Sequence, residues 1–241
     1  GLAIVFLIGL VGAFQAPFQP APDTHKSALA VNIKQNQKAN QKRKDALIKK
    51  AKAQNKAGQA NGPTLKAEKA AEAAAQKHPI NQEFEKYGLS QVTIQRAQNI
   101  SVTAIGDSVL LDGSQALQKL FPNMLVDAAV GRQLYQSIQI VKDYDQKQAL
   151  SDTVLMAQFM AAIGTKRKVY WLNEFVPTRP WQNDVNQTLK NATKQYPNLT
   201  VIDWYSQAAK HSDWFYQDKV HPNPTGVNEY TAIITKALAA K

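Results

Sequence analysis

"SVTAIGDSVLLDGSQ", residues 101–115, runs from an apolar stretch through Gly-Asp-Ser into a helical pattern. A strand that ends in a small residue and leads into a helix presents its next side chain at the edge of a sheet. That side chain also lies beside the unpaired amides of a helix N-terminus. Ser108 at this corner is therefore either a nucleophile or an ordinary N-cap serine. As a nucleophile it would attack a carbonyl group, and the helix amides would stabilise the oxyanion that forms.

Short apolar runs that are typical of buried strands occur five times after residue 99: "ISVTAIG", "MLVDAAVG", "DTVL", "KVYWLNEFV" and "LTVIDWY". Helical patterns follow each run, among them "SVLLDGSQALQKLF" and "QFMAAIG". Five alternations of strand and helix predict an α/β fold of three layers, α/β/α, with a five-stranded parallel sheet. Chemistry in such sheets gathers at the carboxyl ends of the strands, where Ser108 lies.

A serine hydroxyl needs a base to become a good nucleophile, and His221 is the candidate base. It lies in "FYQDKVHPNPTG", three residues after Asp218, so that the carboxylate can hold the imidazole in one tautomer. The alternative is a loop histidine that caps the last helix. The other three histidines lie in or beside a polar segment, or in a polar turn: His25, His78 and His211.

The first residues, "GLAIVFLIGLVGAFQAPF", carry no charge over 18 positions. This stretch predicts the end of a membrane-spanning helix over residues 1–19. The alternative is the apolar core of a secretory signal peptide. Both interpretations place the chain that follows at or beyond a membrane.

Residues 20–79 are rich in Lys, Ala, Gln and Asn, and no aromatic residue occurs between Phe18 and Phe84. Residues 26–69 contain 11 Lys and one Arg against two acidic residues, which is +10 of the total net charge of +11. So little apolar surface predicts a disordered, cationic tether. Anionic lipid headgroups or wall polymers would match its charge, and the alternative is a soluble spacer. Nucleic acid is disfavoured because the segment has no aromatic stacking platform.

The blocks "AIGDSV", "DAAVGRQ" and "DWFYQDKVHPN" resemble those of the SGNH (GDSL-type) esterase family. With "KRKVYWLN" and "VPTRPWQNDVNQTL", the chain more specifically resembles the extracytoplasmic domain of OatA-type peptidoglycan O-acetyltransferases. The resemblance implies a flavodoxin-like SGNH domain over residues 80–241, held outside the cell membrane. It implies acetyl transfer to the C6 hydroxyl of N-acetylmuramic acid, with acetyl groups delivered by a membrane acyltransferase domain.

The resemblance also implies the roles of individual residues. Ser108 would be the nucleophile, His221 the base and Asp218 its orienting carboxylate. The amides of Ser108 and Gly131 would bind the oxyanion. No metal and no organic cofactor is implied, and the absence of cysteine leaves no disulfide or thiolate metal site.

One block of the family is missing from this sequence. The family's Gly-x-Asn block, which ends the third strand, supplies an Asn side chain to the oxyanion hole. Here "SDTVL" leads directly into "MAQFMAAIGTKRK", and Gly164 and Thr165, which echo the motif, fall just before the fourth strand. Asn173, at the end of the fourth strand, is the candidate substitute.

Loss of one oxyanion donor costs roughly 10²–10³ in rate. The missing block therefore leaves two alternatives to the transferase open. One is a carbohydrate acetyl esterase of the same fold. The other is a catalytically impaired module that binds the cell wall.

Overall fold

The computed structural model describes residues 28–56, 65–132, 134–149, 153–156 and 165–239. Within them, the strands form one parallel sheet in the order β2-β1-β3-β4-β5. The strands are β1 (Val102–Gly106), β2 (Met124–Ala128), β3 (Thr153–Met156), β4 (Lys168–Leu172) and β5 (Leu199–Ile202). Four strands lie inside the predicted apolar runs and β3 extends one residue beyond "DTVL", to Met156, so the predicted α/β class is confirmed.

The helices are α1 (Ala28–Lys56), α2 (Leu65–Lys77), α3 (Gln91–Ala97), α4 (Ser108–Leu120), α5 (Leu134–Gln146), α6 (Gln182–Gln195), α7 (Trp204–Ala208) and α8 (Pro224–Leu238). Two 3₁₀ turns, Gln82–Tyr87 and Ser212–Trp214, complete the described elements. The sheet has an apolar core on each face. Val102 and Ala104 pack with residues of α4 and α8, whereas Ile105 packs with Val141 of α5 on the other face.

The strand order places Ser108 at the point where the chain changes direction across the sheet. From β1 the chain crosses to β2 on one side, and β3 to β5 then continue on the other side of β1. Ligands in open α/β sheets bind at the carboxyl ends of the strands beside such a switch point. The last residue of β1, Gly106, has little room for a side chain, since a Cβ there would lie 2.8 Å from the Leu110 side chain. A larger residue would push α4 away from the strand.

The predicted disordered tether over residues 20–79 is wrong for the residues that form α1 and α2. α1 packs against α4 and β2, and α2 packs against α3. The prediction was wrong because it took a polar composition to mean disorder. The face of α1 that packs against the domain is itself largely polar. Asn36 and Asn40 are buried together with Leu29 and Ile33. Hydrogen bonds to the domain add to the few apolar contacts that the segment makes.

Two predictions fall on residues that the structure does not describe. The end of a membrane-spanning helix, predicted for residues 1–19, lies outside the described residues, and so does the helix predicted for "QFMAAIG". Within the described parts of the chain, no helix has the length and apolar character to cross a membrane.

Candidate active site

Three residues predicted from the sequence meet at the carboxyl end of the sheet. His221 Nε2 lies 2.8 Å from Ser108 Oγ, and His221 Nδ1 lies 2.6 Å from Asp218 Oδ2. Ser108 is the first residue of α4, whereas Asp218 and His221 lie on the loop before α8. His221 follows Ser108 by 113 residues in the sequence. A carboxylate, an imidazole and a hydroxyl thus form one continuous hydrogen-bonded series.

The loop that carries Asp218 and His221 is a tight turn that the carboxylate itself supports. Asp218 Oδ1 accepts hydrogen bonds from the amides of Val220 (2.9 Å) and His221 (3.0 Å). Lys219, between them, adopts the left-handed backbone conformation with φ 58°. One carboxylate oxygen therefore shapes the turn while the other holds the imidazole.

The capping alternatives for Ser108 and His221 are wrong. Asp107 caps α4, since its side chain accepts a hydrogen bond from the amide of Val109 at 3.0 Å. Asn223 caps α8, and its side chain accepts bonds from the first-turn amides of that helix. Neither Ser108 nor His221 is needed as a cap, and both side chains point to each other instead.

The electrostatics of the pair favour an ionised Asp218 and a more basic His221. Burial opposes ionisation of Asp218, but hydrogen bonds from the His221 side chain and from two backbone amides outweigh it and lower its pKa to about 2. Burial likewise opposes protonation of His221. The hydrogen bond and negative charge of Asp218, with smaller contributions from Asp112 and Asp107, nevertheless raise the pKa of His221. A raised pKa makes the imidazole a stronger base for the hydroxyl proton.

Gly131 lies on a turn that is tied to the end of β1. The Arg132 guanidinium donates to the Gly106 carbonyl (3.2 Å) and to the carbonyl and carboxylate of Asp127. Gly131 has φ +68°, and a Cβ built on it would meet nothing within 4 Å. The left-handed backbone, rather than crowding, therefore explains the glycine. The Gly131 amide as an oxyanion donor stays a prediction.

Asn173 is bound to residues that follow β5. Its Nδ2 donates to Asp203 Oδ1 at 2.8 Å, and its Oδ1 accepts a bond from the amide of Tyr205 at 2.6 Å. These bonds fix the end of β4 against the start of α7. An oxyanion role for Asn173 stays a prediction, and most of the stretch in which the third block is missing, residues 157–164, lies outside the described residues.

Two carboxyl groups near the site were not singled out by the sequence. Asp112 lies one helical turn after Ser108, and burial raises its pKa to about 6. Glu174 follows β4, and burial with the nearby charge of Asp107 raises its pKa to about 8. The sequence positions of both residues could have indicated that they lie near the site. Asp112 is four residues from Ser108 on one helix, and Glu174 follows the end of a parallel strand, as Ser108 does.

The arrangement of Ser108, His221 and Asp218 has the geometry that nucleophilic acyl transfer needs. A hydroxyl hydrogen-bonded to an imidazole, which is oriented by a carboxylate, is an activated nucleophile. Among the described residues, no group of three or more His, Cys, Asp or Glu side chains is arranged to hold a metal ion.

No family model matches the chain, but curated relatives do. It is 34% identical over 152 residues to the peptidoglycan O-acetyltransferase OatA of Listeria monocytogenes, which covers 56% of this chain and 23% of that protein. It is 32% identical over 150 residues to YrhL of Bacillus subtilis, which covers 57% of this chain and 23% of that protein. The chain spans about a quarter of the length of the curated relatives it matches.

A solved structure matches the same architecture. It is the C-terminal catalytic domain of peptidoglycan O-acetyltransferase A from Streptococcus pneumoniae, with a methylsulfonyl adduct. The TM-score is 0.51 at 19% identity, over 58% of this chain and 91% of that one. This likeness supports the fold. The resemblance to OatA-type peptidoglycan O-acetyltransferases, inferred above from the sequence, is thereby confirmed over 57% of this chain.

Proposed function

We propose that this chain transfers acetyl groups to peptidoglycan through an acetyl-serine intermediate on Ser108. The observation that carries the proposal is the hydrogen-bonded series from Asp218 through His221 to Ser108. Similarity to peptidoglycan O-acetyltransferases supports the substrate class.

In the first step, Ser108 Oγ attacks the carbonyl carbon of an acetyl ester, and its proton passes to His221 Nε2. The amides of Ser108 and Gly131 stabilise the oxyanion that forms. The bond between the carbonyl carbon and the donor oxygen then breaks. The donor alcohol leaves with the proton from His221, and the acetyl group stays on Ser108.

In the second step, an acceptor hydroxyl gives its proton to His221 Nε2 and attacks the acetyl carbonyl. Ser108 leaves and recovers the proton from His221. The proposed acceptor is the C6 hydroxyl of N-acetylmuramic acid. Water in its place makes the same site a carbohydrate acetyl esterase, so the acceptor alone separates these two activities.

We place the catalytic unit outside the cell membrane, where the acceptor glycan lies and where a membrane acyltransferase domain can deliver acetyl groups. The exposed lysines of α1 suit this location. Lys34, Lys38, Lys42 and Lys49 follow a spacing of four, four and seven residues, which keeps them on one helical face. This stripe lies opposite the docked face and is proposed to bind anionic wall polymers.

The test is acetyl transfer by the full 241-residue chain, with 4-nitrophenyl acetate as donor and a soluble peptidoglycan fragment as acceptor. We expect O-acetylated glycan by mass spectrometry, and its loss in Ser108→Ala, His221→Ala and Asp218→Asn. His211→Ala is the matched control, because the His211 ring stacks on Trp214 and lies near Asp213, and neither of these residues is assigned to the acyl-transfer site. Acetate release without glycan product would identify an esterase instead. A folded chain with neither product would favour the wall-binding module.

A further inference from the structure

Three asparagines on α1 form a ladder against α4, one on each successive turn. Asn32 Nδ2 donates to the carboxylate of Asp112. Asn36 Nδ2 donates to the carbonyls of Leu111 (3.1 Å) and Asp112 (2.8 Å). Asn40 Nδ2 donates to Ser114 Oγ at 3.0 Å. The spacing of four residues matches the helical repeat of α1, whereas the partners on α4 all lie within the single turn from Leu111 to Ser114. These paired contacts fix one register between the two helices.

The ladder is buried, which makes its register specific. Asn36 is 4% exposed and Asn40 is 8% exposed. A slide of α1 by one residue would leave these carboxamides buried without partners, and buried polar groups need partners. Leu29 and Ile33 add apolar contacts to Leu111 beside the ladder. α1 is therefore held in one position against the helix that begins with Ser108.

α1 also contacts β2, the strand that leads to the Gly131 turn. Lys44 Nζ lies 2.8 Å from Asp127 Oδ2 on β2. The same carboxylate accepts bonds from Tyr144 and from Arg132, whose guanidinium reaches the carbonyl of Gly106. Through Asp127 and Arg132, α1 is thus connected to the turn that carries Gly131. The Gly131 amide is the predicted oxyanion donor.

Asp112 links the ladder to the hydrogen-bonded series of Asp218, His221 and Ser108. It is 2% exposed, lies one turn after Ser108, and its charge interacts with those of His221 and Asp218. Its Oδ1 accepts the bond from Asn32, whereas its Oδ2 is buried with no hydrogen-bond partner among the described atoms. The orientation of the Asp112 carboxylate therefore depends on its hydrogen bond from Asn32 of α1.

We propose that α1 is a positioning helix for the acyl-transfer site. Its asparagine ladder and Lys44 hold α4 and the Gly131 turn in their catalytic arrangement. Asn32, Asn36 and Lys44 are positioning residues, because they act through Asp112, α4 and Asp127. The inference rests on the proposed function for its catalytic part, whereas the docking itself stands independently.

The test compares the full chain with the double variant Asn32→Ala/Asn36→Ala. Hydrogen exchange of α1 reports docking, and steady-state hydrolysis of 4-nitrophenyl acetate reports turnover. We expect faster exchange throughout Ala28–Lys44 and a fall in kcat of about tenfold or more, with KM changed by less than about twofold. Lys50→Ala is the matched control, because its contact with Asn123 is exposed and lies away from the ladder.

A third measurement separates failure of this inference from failure of the proposed function. The ring resonances of His221, assigned by their loss in His221→Ala, report the imidazole environment whether or not the chain turns over an ester. We expect them to shift in the double variant and to stay unchanged in Lys50→Ala. Undocking of α1 without a change in the His221 resonances would overturn the inference. Unchanged exchange of α1 in the double variant would overturn it as well.

Discussion

The turn at Asp218–His221 and the ladder on α1 hold two parts of the candidate site by different kinds of contact. The turn is local, since Asp218 bonds residues two and three positions away. The ladder is non-local, since its bonds join residues 74 to 80 positions apart. A local turn reforms wherever its short sequence is intact, whereas a non-local ladder exists only when two distant helices pack correctly. In the proposed mechanism the turn supplies the base and its orienting carboxylate, and the ladder is proposed to position the helix that begins with Ser108.

The largest expected effect comes from the local turn. In Asp218→Asn, the side-chain oxygen can still accept the amides of Val220 and His221, but the amide group no longer favours the required imidazole tautomer. We expect kcat for ester hydrolysis to fall by roughly 10³–10⁴ while the thermal midpoint changes little. Asp218→Ala removes both functions and should lower activity and stability together. Equal stability loss in the two variants would contradict the division between the two carboxylate oxygens.

The next effect breaks the ladder. Asn36→Ala removes two buried hydrogen bonds and leaves the carbonyls of α4 with only their helical partners. We expect the free energy of unfolding to fall by about 1–3 kcal/mol. Gln35→Ala and Gln37→Ala are matched controls on exposed neighbouring positions, and urea unfolding is the measurement. A loss of the same size in the controls would show that helix propensity, rather than the ladder, accounts for it.

A smaller effect concerns pH. The base must be unprotonated, and the pKa of His221 is raised above its ordinary value of 6.5, so kcat/KM should fall as pH drops through a midpoint above 6.5. Asp218, Asp112 and Asp107 are the acidic groups whose charges raise it. Removing one of those charges in Asp112→Asn should move the acid limb to lower pH. An acid limb that moves to higher pH in this variant would contradict the inference that the charge of Asp112 raises the pKa of His221.

The smallest effect on catalysis comes from the outer face of α1. Replacing Lys34, Lys38, Lys42 and Lys49 with Gln should change turnover of 4-nitrophenyl acetate by less than about twofold, because exposed charges remote from the site are screened. The same variant should lose salt-sensitive retention on purified cell walls. Retention equal to that of the unaltered chain would remove the proposed role of the stripe.

The same contrast explains what the sequence predicted and what it did not. The five strands followed from apolar runs. Asp218 and His221 followed from one motif whose two members lie three residues apart, and Ser108 followed from Gly-Asp-Ser at the end of a strand. The docking of α1 was missed because Asn32 gives no sign of its partner Asp112, 80 positions away. The segment has little apolar surface, but the hydrogen bonds of the ladder and the ion pair of Lys44 add to the few apolar contacts that it makes. A spacing of four between asparagines becomes informative only when the opposite helix is known.

The most direct test of the central claim is covalent labelling of the full chain with a serine-directed fluorophosphonate, followed by peptide mass spectrometry. Ser108→Ala and His221→Ala are the comparison variants, and circular dichroism confirms that each is folded. We predict a single labelled serine, Ser108, with no label in Ser108→Ala and much slower labelling in His221→Ala. A folded chain whose Ser108 stays unlabelled would contradict the assignment of Ser108, His221 and Asp218 as an acyl-transfer site.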